Sequence, residues 1–268
     1  ERRGQDIDIS ITIHVLVTLG ALRVWVERTP DDFTFHIKLY SLFTLHGAGI
    51  KAMPKDIREA LPEEAKKKPR IYWDKTPSHI REEMVQRYKD ALQPLHEVGK
   101  LGYVLAQFGH WVYPNGRNRA HIEMLKEAMD PYIVAAEFRN LRWLDPDGIE
   151  NTLEFLEERE IPFVSVDEPQ GFKSSVPPVA AATSDNIAVI RFHGRNSEKW
   201  EAKGLKSSAE RFDYWYAAEE MEEWKPRIEV MQGRAAQVFA MMNTNNSNQG
   251  PANALLLQQV MGLIPEAG

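Results

Sequence analysis

Short apolar runs alternate along this chain with longer amphipathic, charge-rich ones, and that alternation constrains the fold more than any other feature. The apolar runs are Phe33–Leu39, Leu101–Phe108, Ile133–Phe138, Pro162–Asp167, Ile187–His193 and Gln237–Met242. Each has strand length and strand composition. Helical patterns lie between them at Ser78–Val98, Arg119–Met129, Pro146–Arg159, Ala217–Met231 and Ala252–Met261. Pro146 after Asp145, and Ser78 after Pro77, are helix-start signals. Strand and helix taking turns is the pattern of parallel sheets built from βαβ units. No repeat, low-complexity tract or Pro, Gly or Ser-rich linker divides residues 1–268, so one domain is expected. The fold class expected is α/β, a TIM-like (β/α)8 barrel.

Composition removes several alternatives. A formal charge of −6 argues against a broad basic face for nucleic acid. Lys66, Lys67 and Lys68 sit beside Glu63 and Glu64 and read as solvated surface. There is no cysteine, which suits a reducing cytoplasm and excludes thiolate metal sites. The longest apolar stretch, Ile9–Leu22, is broken by Ser10, Thr12, His14 and Thr18. It falls short of the roughly 20 apolar residues of a membrane span and is expected to be a strand. No membrane partner is expected.

Side chains alternate along a strand, which sorts the residues that would face a barrel interior. Phe33, Phe35, Ile37 and Leu39 form one face of their run, leaving His36 and Lys38 on the other. The same parity turns inward Gln107, then Glu137 and Arg139, then Asp167, then Arg191 and His193 with Arg195 and Asn196 following, and finally Asn243. A strand covered on both faces should read as continuously apolar, yet these runs end polar. In such barrels the C-terminal rim carries the active site, so a pocket is expected there. Lys38, Arg139, Arg191 and Arg195 are four cations against two anions, Glu137 and Asp167, a sum of +2. Arginine forks match phosphate and carboxylate oxygens, so the expected partner is a small anionic or phosphorylated ligand.

The resulting assignment gives acid, base or proton-shuttle roles to Glu137, Asp167 and His193. Ligand contacts are assigned to Lys38, Gln107, Arg139, Arg191, Arg195, Asn196, Trp200 and Asn243. The reaction class is hydrolase or isomerase. A non-catalytic module that binds a nucleotide or a nucleic-acid end is a second reading, and a purely structural ion-pair ring a third. His36, His193, Glu137 and Asp167 follow no metal-ligand spacing, and no metal is assigned. No GxSxG elbow, Walker A loop or GxGxxG fingerprint is present, and no cofactor is implied.

The segments "WVERTPDDFTFHIKLYSLFT", "LGYVLAQF", "AAEFRNLRW", "VSVDEP", "IRFHGRNSEKW", "YWYAAEEMEEW" and "FAMMNTNNSNQGPANA" together resemble the YecE-like family, domain of unknown function 72. The resemblance runs from about Trp25 to Gly262 and implies a TIM-like barrel without supplying a reaction. It adds Trp143, Gly194 and Asn253 to the rim residues. The family's opening Gly-Trp strand end and a following strand like "VEVNSTFY" have no counterpart here, and residues 1–22 match nothing in the pattern. The barrel is therefore expected to be incomplete or divergent at its N-terminus.

Overall fold

A computed structural model describes residues 6–11 and 19–265. The strands are β1 (Asp6–Ile11), β2 (Phe35–Lys38), β3 (Ala48–Gly49), β4 (Arg70–Ile71), β5 (Leu101–Phe108), β6 (Val134–Phe138), β7 (Val164–Asp167), β8 (Ile187–Phe192) and β9 (Gln237–Met242). The helices are α1 (Leu19–Arg28), α2 (Lys55–Ala60), α3 (Glu63–Lys66), α4 (Ser78–Glu97), α5 (Gly116–Met129), α6 (Ile149–Glu157), α7 (Ala218–Glu222), α8 (Lys225–Gln232) and α9 (Gln249–Val260). The architecture is α/β with parallel sheets. Among the described residues the strands pair as separate sheets and do not close into one ring. No described helix is long and apolar enough to cross a membrane.

The described residues divide into two compact units. One contains β1 and the chain from Ala135 onward, and the other runs from α1 to Val134. In the first unit β1, β9, β8 and β7 lie side by side in that order, all parallel. A parallel bridge between Ala136 and Phe163 sets β6 beside the start of β7. First and last strands are thus neighbours, with Ile9 opposite Ala240.

β8 shows why the sheet holds. Ala188, Ile190 and Phe192 join Val238, Ala240 and Met242 of β9 in one apolar cluster with Trp224, Ile228 and Met231. Its other parity class, Val189 and Arg191, is buried as well. Both faces are covered, as parallel sheets require.

In the second unit β2 pairs with β5 in parallel, with a register shift between Phe35 and His36. β3 and β4 form a short antiparallel pair. The lysine-rich excursion contains α3, where Lys66 pairs with Glu63 at 2.7 Å on the surface. Gly102 makes room for His36, since a Cβ there would meet the imidazole at 2.3 Å. The ring stacks on Tyr103 with centroids 4.1 Å apart.

Three expectations change. Ile9–Leu22 is not one strand: β1 stops at Ile11, residues 12–18 lie outside the described residues, and Leu19 begins α1. Leu22, Trp25, Val26 and Thr29 share a helical face, and Trp25 stacks on Phe35 at 5.4 Å. The helix expected over Ala217–Met231 is two helices. Pro226, in the first turn of α8, has no N–H to continue α7. The helix expected from Pro146 begins at Ile149, because Asp145 to Gly148 form a turn whose carbonyl at Asp145 accepts from both Gly148 and Ile149.

Candidate functional site

The C-terminal ends of β6, β7, β8 and β9 bring Glu137, Arg139, Asp167, Glu168, Arg191, His193 and Asn243 into one hydrogen-bonded cluster within the first unit. β8 carries Arg191 at its end, and the His193 N–H donates to the Asp167 carbonyl at 2.8 Å, which extends the β7–β8 ladder into the loop. The Asn243 N–H donates in the same way to Phe192 O at 2.8 Å. Backbone pairing therefore fixes the three polar positions before any side-chain contact is made.

Glu137 is fully buried. Its carboxylate accepts from Arg191 Nη1 at 2.5 Å and from Arg139 Nη1 at 3.4 Å. Burial by itself would raise the pKa of this carboxyl, but Arg191, assisted by His193 and Arg139, holds it well below the usual carboxylate range. Arg191 Nη2 donates to Asn243 Oδ1 at 3.0 Å. With its oxygen so engaged, the Asn243 amide turns its Nδ2 to His193 Nδ1 at 2.9 Å. Nδ1 is thus the acceptor, and the imidazole proton sits on Nε2. Burial, with Arg139 nearby, lowers the His193 pKa to about 3, so the ring is neutral near pH 7.

Three buried N–H donors in this region have no hydrogen-bond acceptor among the described residues: Arg191 Nε, His193 Nε2 and Trp200 Nε1. His193 Nε2 lies 3.3 Å from Glu137 Oε1 but without the alignment of a hydrogen bond. The Arg139 guanidinium lies 5.4 Å from the centre of the Trp200 ring. His193 and Trp200 both pack against Phe212, with centroids 5.7 and 6.2 Å away.

Glu168 joins the cluster although alternation along β7 did not select it. Its Oε2 accepts from Arg139 Nη1 at 2.5 Å and its Oε1 from the Val176 N–H at 2.7 Å. Burial raises its pKa to about 7 against the pull of Arg139, with Glu137 and Asp167 adding to the rise. Two carboxyls on one arginine are thereby shifted in opposite directions.

Asp167 is in a different position. Its two oxygens accept from Tyr216 Oη at 2.5 Å, Trp224 Nε1 at 2.7 Å and Arg195 Nη2 at 2.7 Å, with Arg195 Nε at 3.1 Å. Arg195 is further engaged by Glu223 at 2.8 Å and Glu220 at 3.4 Å. Asn196 builds a turn, donating to Asp213 O and accepting from the Lys199 N–H. Trp143 stacks on Phe138 at 4.2 Å, and Asn253 ties Tyr214, Tyr216 and Thr244 together. Lys38 and Gln107 belong to the second unit, where Lys38 Nζ donates to Gln107 Oε1 at 2.5 Å.

The charge balance changes accordingly. Within the first unit Arg139, Arg191 and Arg195 face Glu137, Asp167, Glu168, Glu220 and Glu223, three cations against five anions. The surplus of +2 read from the sequence omitted three glutamates, and one of its cations, Lys38, lies in the second unit. No group of three or more His, Asp or Glu among the described residues is arranged to hold a metal ion.

The amino-acid sequence matches the family described as "Protein of unknown function DUF72" over residues 7–267. The chain belongs to the DUF72 family. The match begins inside the segment that the sequence pattern had set apart, in keeping with the place of β1 beside β9. This DUF72 chain is 31% identical over 241 residues to the UPF0759 protein YunF of Bacillus subtilis (strain 168), covering 89% of this chain and 77% of that protein. A crystal structure of a DUF72 family protein from Enterococcus faecalis V583 is similar, with TM-score 0.75, 26% identity, and coverage of 94% of this chain and 83% of that one. One from Thermotoga maritima MSB8 has TM-score 0.70 and 26% identity, covering 96% and 85%.

Gly194 links the two halves of the site in this DUF72 protein. Its φ of +82° belongs to the left-handed region, and its N–H donates at 3.0 Å to the Tyr216 hydroxyl that in turn donates to Asp167. A Cβ there would come within 2.6 Å of Tyr214 Cβ. Gly194→Ala is expected to lower stability by about 1–2 kcal/mol from the backbone alone, with the contact adding to it. Urea unfolding measures the loss, and a variant as stable as the parent would contradict the strain argument.

Proposed function

We propose that the cluster around Glu137 is the active site of an enzyme that binds a small, oxygen-rich anionic substrate, of which a phosphorylated metabolite is the type. The chemistry is acid–base, as in a hydrolase or isomerase. The observation that carries this reading is the set of three buried donors, Arg191 Nε, His193 Nε2 and Trp200 Nε1, that meet no protein acceptor among the described residues. Leaving a buried donor unmatched costs about 1–3 kcal/mol. Three in one region match a ligand that brings acceptors, and substrate oxygens are such acceptors.

The local charge supports an anion. With Glu168 protonated, Arg139 and Arg191 face the single carboxylate of Glu137, two cations less one anion, which leaves the inner cluster at +1. Asp167 and Arg195 satisfy each other and take the role of a strut. Glu168, half-protonated near neutrality, is the proton donor of the reading, because a catalytic acid works best with a pKa close to the operating pH. Glu137 is the permanent anion that keeps Arg191 in place, and neutral His193 presents its Nε2 proton to a developing negative oxygen.

The test has two arms. Titration calorimetry with inorganic phosphate is expected to show binding that weakens by about five- to tenfold in Trp200→Phe, the equivalent of one hydrogen bond. A screen of sugar phosphates and nucleotides is expected to yield a turnover that Glu168→Gln lowers by about 10²-fold or more while phosphate binding persists. Phosphate affinity that is absent, or equal in the parent and Trp200→Phe, overturns the binding half. Turnover undiminished in Glu168→Gln overturns the acid.

A further inference from the structure

The second unit contains a cavity of about 180 Å³ under α4, lined by none of the residues of the polar cluster. Its wall is largely apolar, with Phe43, Ile57, Met84 and Leu92 contributing side chains from three parts of the unit. Cavities of roughly 150 Å³ with such walls stay dry and accept benzene-sized molecules. A wholly apolar lining would stop at that size argument, but two phenols also line this one. Tyr88 donates its hydroxyl proton to Lys38 O at 2.9 Å, which leaves the oxygen's lone pairs able to accept from a guest. Tyr40 is half-buried, and its hydroxyl makes no hydrogen bond to the described residues. Burial raises the pKa of both phenols, so both remain neutral donors and acceptors.

We infer that this cavity is a binding site for a small cyclic apolar molecule bearing one hydroxyl, a phenol-class ligand. The ring takes the place between Phe43, Met84 and Leu92, and the hydroxyl meets the Tyr40 and Tyr88 oxygens. The volume of about 180 Å³ suits one six-membered ring and its substituent. A charged guest is disfavoured for a separate reason. The two cations of the lining are already engaged, Arg87 with Asp56 and Glu83 and Lys38 with Gln107, and an ionised group would have to shed water against an apolar wall.

Saturation-transfer NMR and calorimetry on the full chain, with phenol, toluene and benzoate as probes, test the inference. Phenol is expected to bind more tightly than toluene by about five- to tenfold, the worth of one hydrogen bond, and benzoate to bind least. Tyr40→Phe is expected to reduce the preference of phenol over toluene without abolishing either. Ala91→Leu places extra carbons in the cavity and is expected to abolish both, with thermal unfolding reporting whether that variant is folded. Absence of phenol binding to the parent protein overturns the inference. So does binding that survives in a folded Ala91→Leu, or an undiminished phenol preference in Tyr40→Phe.

Discussion

Glu137→Ala is expected to destabilise the protein by about 3–5 kcal/mol, the range for stripping one partner from a buried ion pair. Arg191 is 1% exposed and Glu137 is 0% exposed. Removing the carboxylate strands a guanidinium whose other hydrogen bond goes to the neutral amide of Asn243. The paired replacement Glu137→Leu with Arg191→Met should recover most of the loss, because the desolvation cost of both ions disappears together. Guanidinium unfolding of the parent, the single variant and the double variant measures both effects. A single variant within about 1 kcal/mol of the parent would mean that the pair contributes nothing to the fold, and the cluster would then need another account. Such an outcome would also remove the reason for reading Glu137 as the fixed anion of the site.

Much of this arrangement was legible in the chain before folding was considered. Period two along Ile187–His193 separates Ala188, Ile190 and Phe192 from Arg191 and His193, and the helix-side cluster contains the first three. Parallel strands bury both faces, so a charged residue inside such a run is conspicuous, and Arg191 was found that way. The limits of the strand runs were equally readable where the pattern was clean, as for Leu101–Phe108 and Gln237–Met242. The N-terminal stretch failed because the apolar run Ile9–Leu22 takes in both the end of β1 at Ile11 and the start of α1 at Leu19. A single window averages a strand into a helix there.

Glu168 was hidden for a related reason. Alternation assigns it to the side opposite Asp167, but β7 ends at Asp167, and beyond a strand end the rule no longer applies. Pro169 immediately after it was the available signal, since the residue before proline is held extended and can reach back to Arg139. Lys38 marks the limit of local pattern reading. Parity and a position at a strand end promoted it to the anion site, while pairing with Gln107 and membership of the second unit are tertiary facts that no local pattern carries. Arg195 was selected for its place just beyond the inward end of Ile187–His193, and the glutamates that engage it, Glu220 and Glu223, come from α7 and the residue after it, more than 20 positions away.

The pH dependence of stability separates the two titrating members of the cluster, because they act with opposite signs. His193 has a folded pKa of about 3 against about 6.5 when unfolded, so between those values the unfolded chain binds the extra proton. Its contribution is present above pH 6.5 and is lost as pH falls, at about 1.4 kcal/mol per pH unit. His36, buried to a folded pKa of about 3 in the second unit, adds a slope of the same sign. Glu168 runs the other way: its folded pKa of about 7 exceeds the unfolded value of 4.5, so its contribution is present below 4.5 and is lost as pH rises through 7. From pH 4.5 to 6.5 the three sum to one net proton taken up on unfolding. His193→Gln should flatten the profile relative to the parent by about 3 kcal/mol across those two pH units, and Glu168→Gln should steepen it by a similar amount. Urea unfolding at pH 4.5, 5.5 and 6.5 reads both differences, and groups common to all three proteins cancel. Slopes that move in the same direction in the two variants would show that the carboxyl and the imidazole are not held in the protonation states on which the proposed proton transfer relies.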